Sequence, residues 1–96
     1  MISIDAEIRA LIPGYLSNRQ TDLTGIRAAL AVADHEAIRI IGHSIKGSGG
    51  AYGFEALSAI GARLEDAATA RDRPGIEAAA SALADYLQRL RVVYVE

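Results

Sequence analysis

The chain has 96 residues, of which 51% are hydrophobic and 23% are charged, and this size and composition predict one small globular domain spanning residues 1–96. The formal net charge of -2 at pH 7 argues against a nucleic-acid partner, because binding a phosphate backbone requires excess positive charge. The lack of cysteine excludes disulfides, thiolate metal sites and a cysteine nucleophile.

The sequence also carries information on location and fold class. It has no run of about eighteen apolar residues and no basic start followed by an apolar segment, so we expect neither a membrane partner nor a cleaved leader. Together with the lack of cysteine, this favours a soluble cytoplasmic protein. The alanine-rich composition, with only 2 prolines, favours an all-α fold.

The N-terminal segment predicts a short helix that begins behind Ser3 as its cap. Its apolar residues recur at steps of three and four: Ile4, Ile8, Leu11, Ile12 and Tyr15. Pro13 lacks the N–H that an unbroken helix needs but fits the first turn of a new one, so we place a kink or a break at Ile12–Pro13. The longer helix that follows has an apolar stripe of Leu16, Leu23, Ile26, Leu30 and Ala33. Its polar residues are expected to lie mostly toward water: Asn18, Arg19, Asp22 and Arg27.

Asp34 is the strongest helix start in the chain, because it can cap the next backbone N–H groups and Glu36 follows it in the first turn. The predicted helix begins near His35 and ends within the glycine-rich segment 49–53. Its buried stripe is expected to hold Ala37, Ile38, Ile41, Ile45 and either Ser48 or Gly49. Its other face holds Arg39, His43, Lys46, Gly47 and Gly50.

Two further helices complete the prediction. One begins at Phe54 or Glu55 and is expected to bury Leu57, Ile60, Gly61, Leu64 and Ala68. The other begins at Pro74 and is expected to run to the end of the chain, burying Ile76, Ala80, Leu83, Leu87, Leu90 and Tyr94. Short connections make neighbouring helices antiparallel, so the sequence predicts an antiparallel up-and-down four-helix bundle with a short extra N-terminal helix.

The helix that contains His43 has more glycine than a helix favours. A glycine in a helix interior costs roughly 0.5 to 1 kcal/mol relative to alanine, so Gly42, Gly47, Gly49 and Gly50 together cost about 2 to 3 kcal/mol. Glycines on the buried side permit close helix packing. Gly47 and Gly50 instead share the outer face with His43, where they are expected to leave an accessible surface around the imidazole.

Lys46 is the only lysine among ten basic residues and follows His43 by three positions, so the two side chains share a helix face. A neutral imidazole is a competent nucleophile near pH 7, because the ordinary pKa of histidine is about 6.5. A flexible ammonium group can contact a phosphoryl group transferred to that ring. We interpret the two residues as a phosphate-handling pair.

These residues resemble a known family. The pattern His43-x-Ile45-Lys46-Gly47-Ser48-x-Gly50-x-x-Gly53, followed by Leu57 and Leu64-Glu65, is similar to the histidine-containing phosphotransfer (HPt) domain. The His-Ser-Ile-Lys-Gly and Tyr-Gly-Phe elements also resemble the phosphotransfer domain of chemotaxis kinases. The resemblance covers nearly the whole chain, and because no kinase catalytic domain precedes Glu96, we expect a stand-alone phosphotransfer domain.

The resemblance implies a role for each matched residue. His43 would accept a phosphoryl group from the phospho-aspartate of a response-regulator receiver domain, or from a histidine kinase or hybrid kinase, and pass it to another receiver. Lys46 would stabilise the phosphoryl group, and Gly47 would leave room for it. No cofactor is expected in this chain, since the receiver would supply Mg²⁺, and the protein would act as a relay without turnover of its own.

Other readings of the same residues fit less well. The lysine precedes the glycines, unlike in a nucleotide-binding phosphate loop, and Tyr52 stands where a dinucleotide motif needs its last glycine. Ser44 and Ser48 lack a nucleophile-elbow motif. A metal site built on His35 and His43 would need further ligands, so we expect His35 to be a solvated residue and no metal to bind.

Two questions stay open at this stage. The outer face around His43, including Gly50, is expected to dock the partner, but Arg39 is either part of that docking surface or an ordinary solvated residue. The alternative function is a non-catalytic helical interaction or dimerisation module of a sensor kinase pathway. Such modules place Glu directly after the histidine and Pro a few residues later, whereas Ser44 follows His43 and no proline is near.

Overall fold

The computed structural model describes residues 2–5, 10–90 and 92–95, the two outer segments as backbone only. The described residues form four helices: α1 Ile12–Ala31, α2 His35–Ala51, α3 Glu55–Thr69 and α4 Arg73–Arg89. Two short strands flank them, β1 Ile2–Asp5 and β2 Val92–Val95. None of the helices in these ranges has the length and apolar character needed to span a bilayer.

The helix starts follow the local rules predicted from the sequence. Pro13 lies in the first turn of α1 and Pro74 in the first turn of α4, where a missing N–H costs nothing. Asp34 caps α2, its Oδ1 accepting a hydrogen bond from the Ala37 N–H at 3.1 Å. Asp72 caps α4 in the same way, accepting from the Gly75 N–H at 3.1 Å.

The three connections between the helices share one geometry. In each, a residue with positive φ follows the helix end and the next residue occupies the N-cap position of the following helix: Ala33 at 56°, Gly53 at 83° and Arg71 at 54°. The residue after it donates its N–H back to a carbonyl near the helix end, as Phe54 does to Gly49 at 2.7 Å. These tight turns make successive helices antiparallel.

The four helices pack as an antiparallel bundle around one apolar core. Contacts between opposite ends of neighbouring helices show the antiparallel order: Tyr15 with Ser48, Gly49 with Ser58, Ala67 with Gly75, and Leu30 with Arg73. The largest fully buried side chains are Ile12, Ile26, Ile38, Ile45, Phe54, Leu57, Leu64, Ile76 and Leu83. The predicted inward positions of α3 are all buried, and on α2 it is Gly49 rather than Ser48 that is fully buried.

The two ends of the chain differ from the prediction. The short helix predicted to begin behind Ser3 is wrong at Ile4 and Asp5, because both belong to β1, while residues 6–9 lie outside the described ranges. The last helix ends at Arg89 instead of continuing to Tyr94, because Leu90 is extended and Val92–Val95 is a β-branched and aromatic segment. β1 and β2 pair in parallel, with Ile2 opposite Val92. The pairing gives backbone groups of both segments hydrogen-bond partners, whereas a short isolated helix is only marginally stable.

Arg19 is also placed differently, since only 8% of it is exposed although we expected it to face water. Its guanidinium donates to Ser48 Oγ at 2.9 Å, lies 4.4 Å from the centre of the Tyr15 ring, and has its Nε 2.8 Å from Asp22 Oδ2. Burial raises the pKa of the Asp22 carboxyl, and the Arg19 charge opposes that rise. This polar cluster joins α1 to the last turns of α2. Ala33, expected in the α1 stripe, is exposed because it lies beyond the helix end.

The positive φ angles in the turns predict that Gly53→Ala and Ala33→Gly change the free energy of unfolding in opposite directions. A left-handed conformation costs a non-glycine residue about 1 to 2 kcal/mol, and glycine avoids this cost. We expect Gly53→Ala to lower the free energy of unfolding by about 1 kcal/mol and Ala33→Gly to raise it by about 0.5 kcal/mol. Urea denaturation of both variants measures these changes, and a destabilising Ala33→Gly would contradict the turn assignment.

Candidate functional site

The outer face of α2 presents the residues that the sequence singled out. His43 lies in the middle of the helix with 66% of its side chain exposed, and Lys46, one turn further on, has 46% exposed. Gly47 and Gly50 are exposed on the same side, and Arg39 is half-buried one turn before His43. The helix therefore displays an accessible imidazole with a single ammonium group beside it.

Glu65 of α3 joins His43 and Lys46 into one cluster. Its Oε2 lies 2.8 Å from His43 Nδ1, and its Oε1 accepts a hydrogen bond from Lys46 Nζ at 3.0 Å. Only 18% of the Glu65 side chain is exposed, much less than of its two partners. The carboxylate thus lies below the imidazole and the ammonium group, which both remain open to a partner.

The charge of Glu65 fixes the role of each imidazole nitrogen. The hydrogen bond from Lys46, and next the one from His43, hold the pKa of Glu65 below its ordinary value of 4.5. At neutral pH the carboxylate is therefore ionised and can only accept hydrogen bonds. His43 Nδ1 must carry the proton that it donates to Glu65, which leaves the lone pair of the neutral ring on Nε2.

Close packing of α2 against α3 brings Glu65 within reach. A methyl group on Gly42 would lie 2.7 Å from the backbone N of Glu65, and one on Gly49 would lie 2.7 Å from the backbone N of Ser58. Gly61 of α3 faces the backbone N of Lys46 with even less space. Ser58 adds a cross-link, donating from its Oγ to the Lys46 carbonyl at 2.6 Å. Small residues at these positions let the helix backbones touch.

The remaining predicted site residues have distinct surroundings. A methyl group at Gly47 would have no neighbouring atom within 4 Å, and one at Gly50 would meet only Ser58 Oγ at 3.8 Å. Arg39 donates from Nε to Glu36 Oε2 at 2.9 Å, and this contact raises the pKa of Arg39 and lowers that of Glu36. Arg39 is therefore paired within its own helix, and its role in docking stays a prediction.

His35 does not join the cluster. It is the first residue of α2, half-buried and two helical turns before His43. Within the described ranges, no three histidine, aspartate or glutamate side chains come together as a metal site would require. We expected His35 to be solvated, but it is half-buried. The expectation that no metal binds stays a prediction.

Glu65 is the residue to which sequence reasoning gave no role. It stands in the quoted Leu64-Glu65 element, but 22 residues separate it from His43 along the chain. The available signal was the pair Gly42 and Gly61, since glycines on two neighbouring antiparallel helices indicate a close approach of their backbones. That approach places Glu65 beside His43.

Comparison with known proteins decides the family. The family model described as "Hpt domain" matches residues 11–92, which covers all four helices. The chain belongs to the Hpt domain family. Searches of curated proteins and of solved structures each found no significant match. Hpt domains are helical bundles that carry phosphoryl groups on a histidine in two-component phosphorelays, and they are carriers without catalytic turnover.

The cluster of this Hpt domain predicts a titration behaviour for Glu65. Because the Lys46 hydrogen bond is the largest cause of the lowered pKa, Lys46→Ala should raise the pKa of Glu65 toward its ordinary value. Carbon-13 detection of the Glu65 carboxyl during an acid titration measures the change. Arg73→Ala, which removes a cation paired with Glu77 at 3.0 Å, is the control and should leave the Glu65 pKa unchanged. An unshifted pKa in Lys46→Ala would refute the contact.

Proposed function

We propose that this Hpt domain is a phosphorelay intermediate that carries the phosphoryl group on His43. It accepts the group from the phospho-aspartate of a receiver domain, or from a histidine kinase or hybrid kinase, and passes it to another receiver. The observation that supports this most directly is the exposed imidazole whose Nδ1 is bonded to Glu65, so that Nε2 faces the surface as a nucleophile.

The transfer needs one bond to form and one to break. The lone pair of His43 Nε2 attacks the phosphorus, and the bond from phosphorus to the aspartyl oxygen breaks, releasing the receiver carboxylate. The proton on Nδ1 stays in place, and the positive charge that develops on the ring is balanced by ionised Glu65 at 2.8 Å. The reverse step uses the same groups, which suits a reversible relay without turnover of its own.

Lys46 and Gly47 serve the arriving phosphoryl group. Lys46 has three donor hydrogens and uses one toward Glu65, so its half-exposed ammonium group can also donate to a phosphoryl oxygen. Gly47 follows His43 by one turn, and the space above it is open. A receiver can therefore bring its acidic pocket onto the ring without meeting a side chain there.

The partner supplies what this chain lacks. The proposal assigns Mg²⁺ to the receiver, and the residues of the present chain contribute a nucleophile, an ammonium group and a carboxylate. The docking surface is the outer face of α2, with Arg39 and Gly50 on either side of His43. Ile40 lies on this face with 53% of its side chain exposed and offers an apolar contact. We place the relay in the cytoplasm, as the sequence predicts.

Replacement of the acceptor gives the first functional prediction. His43→Gln should abolish acid-labile, base-stable labelling of the chain by a phosphorylated receiver domain with Mg²⁺, because the side chain at position 43 then has no nucleophilic ring nitrogen. His35→Gln is the matched control and should be labelled like the wild type. Labelling that persists in His43→Gln would mean that another residue is the acceptor, and absence of labelling from several receivers would favour a purely interacting module.

Blocking the open space gives a second functional prediction. Gly47→Leu should reduce the rate of phosphoryl transfer by at least about tenfold, because the added side chain occupies the path of the receiver. Gly14→Leu is a close control, since Gly14 is also an exposed helical glycine with no atom within 4 Å of an added methyl group. Equal transfer rates for the two variants, both folded by circular dichroism, would contradict the steric role.

A further inference from the structure

We infer that Gly42 is a positioning residue for the phospho-acceptor, acting through the backbone of Glu65. Gly42 directly precedes His43 and lies on the buried side of α2, so it does not touch the partner-facing surface. The inference deepens the proposed function and rests on it for its biological meaning. The positional claim itself concerns only the unphosphorylated protein.

A methyl group at Gly42 would collide with the backbone of Glu65, the residue that orients the imidazole. Of the three nearest atoms to an added methyl group, one is Glu65 N at 2.7 Å, one is Gly61 O at 2.9 Å and one is Leu64 Cβ at 2.9 Å. Two of these are backbone atoms of a helix and cannot turn aside. A methyl group at position 42 would therefore push α3 away at the residues that precede and include Glu65.

The side chain of Glu65 is already fully used at the present spacing. Its two oxygens contact different residues, Oε2 with His43 Nδ1 at 2.8 Å and Oε1 with Lys46 Nζ at 3.0 Å. Moving the Glu65 backbone outward by several tenths of an ångström would lengthen and weaken both contacts. The Nδ1 proton would then lose its carboxylate partner, and with it the preference for a free Nε2.

Gly49 provides a matched comparison on the same helix pair. A methyl group there would also meet a backbone atom of α3 at 2.7 Å, but that atom is the N of Ser58, two turns from Glu65. Gly42→Ala and Gly49→Ala thus introduce similar crowding between α2 and α3. Only Gly42→Ala introduces this crowding beside Glu65.

The test is the tautomer of His43, read from nitrogen-15 chemical shifts of the unphosphorylated protein at neutral pH. We expect the wild type and Gly49→Ala to hold mainly the Nδ1–H form. Gly42→Ala should shift the tautomer ratio toward Nε2–H by about tenfold, the effect of losing one charge-assisted hydrogen bond. A native ratio in Gly42→Ala would overturn the inference, and so would an equal shift in both variants.

Glu65→Asp tests the same spacing without crowding the helices, and it decides the matter if Gly42→Ala does not fold. It keeps the charge but shortens the side chain by one methylene, which imitates a retreat of the backbone. We expect the Nδ1–H preference to be lost, and its retention would show that the helix spacing does not limit the contact. Since no phosphoryl donor is present, failure here is distinct from failure of the proposed relay, which shows as missing label on His43.

Discussion

The backbones of α2 and α3 approach closely because Gly42 and Gly49 of α2 and Gly61 of α3 carry no side chain, and a methyl group at any of the three would meet the backbone of the other helix. This contact costs helix propensity but brings a carboxylate of α3 under an exposed imidazole of α2. Ionised Glu65 then fixes the proton on His43 Nδ1 and leaves Nε2 to the surface. The chemistry of the site thus depends on glycines on the buried side of α2, away from the face that carries His43.

The other side of α2 is fixed by a different kind of contact. Buried Arg19 of α1 donates to Ser48 near the end of α2, and the Tyr15 hydroxyl lies 2.9 Å from the same Ser48 oxygen. Tyr15 also stacks on Tyr52, with ring centres 4.4 Å apart. α2 is therefore held by polar and aromatic contacts toward α1 and by glycine contacts toward α3. Neither the contacts with α1 nor the glycine contacts with α3 cover the face of α2 that carries His43.

The features that could be predicted from the sequence are those that depend on neighbouring residues along the chain, such as the helix starts. Asp34, Pro13 and Pro74 act through their own backbone neighbours. The helix after Asp34 begins at His35 as predicted, and α1 and α4 each begin one residue before the proline that was expected to open them. Arg19 was wrongly assigned to water, because periodicity does not show that a charged side chain has partners on another helix. The strand pairing of β1 with β2 was missed for a similar reason, since it joins residues about ninety positions apart. The role of Glu65 was missed for the same reason, because it arises only when α2 and α3 pack together.

The most direct test of this account is to identify the nitrogen that carries the phosphoryl group. Phosphorylated protein labelled with nitrogen-15 can be examined by phosphorus and nitrogen NMR, which distinguishes the two phosphohistidine isomers. We predict phosphorylation on Nε2 of His43 alone, with the Nδ1 proton still bonded to Glu65. Phosphorylation on Nδ1 would contradict it, because the contact with Glu65 would then have to break before transfer.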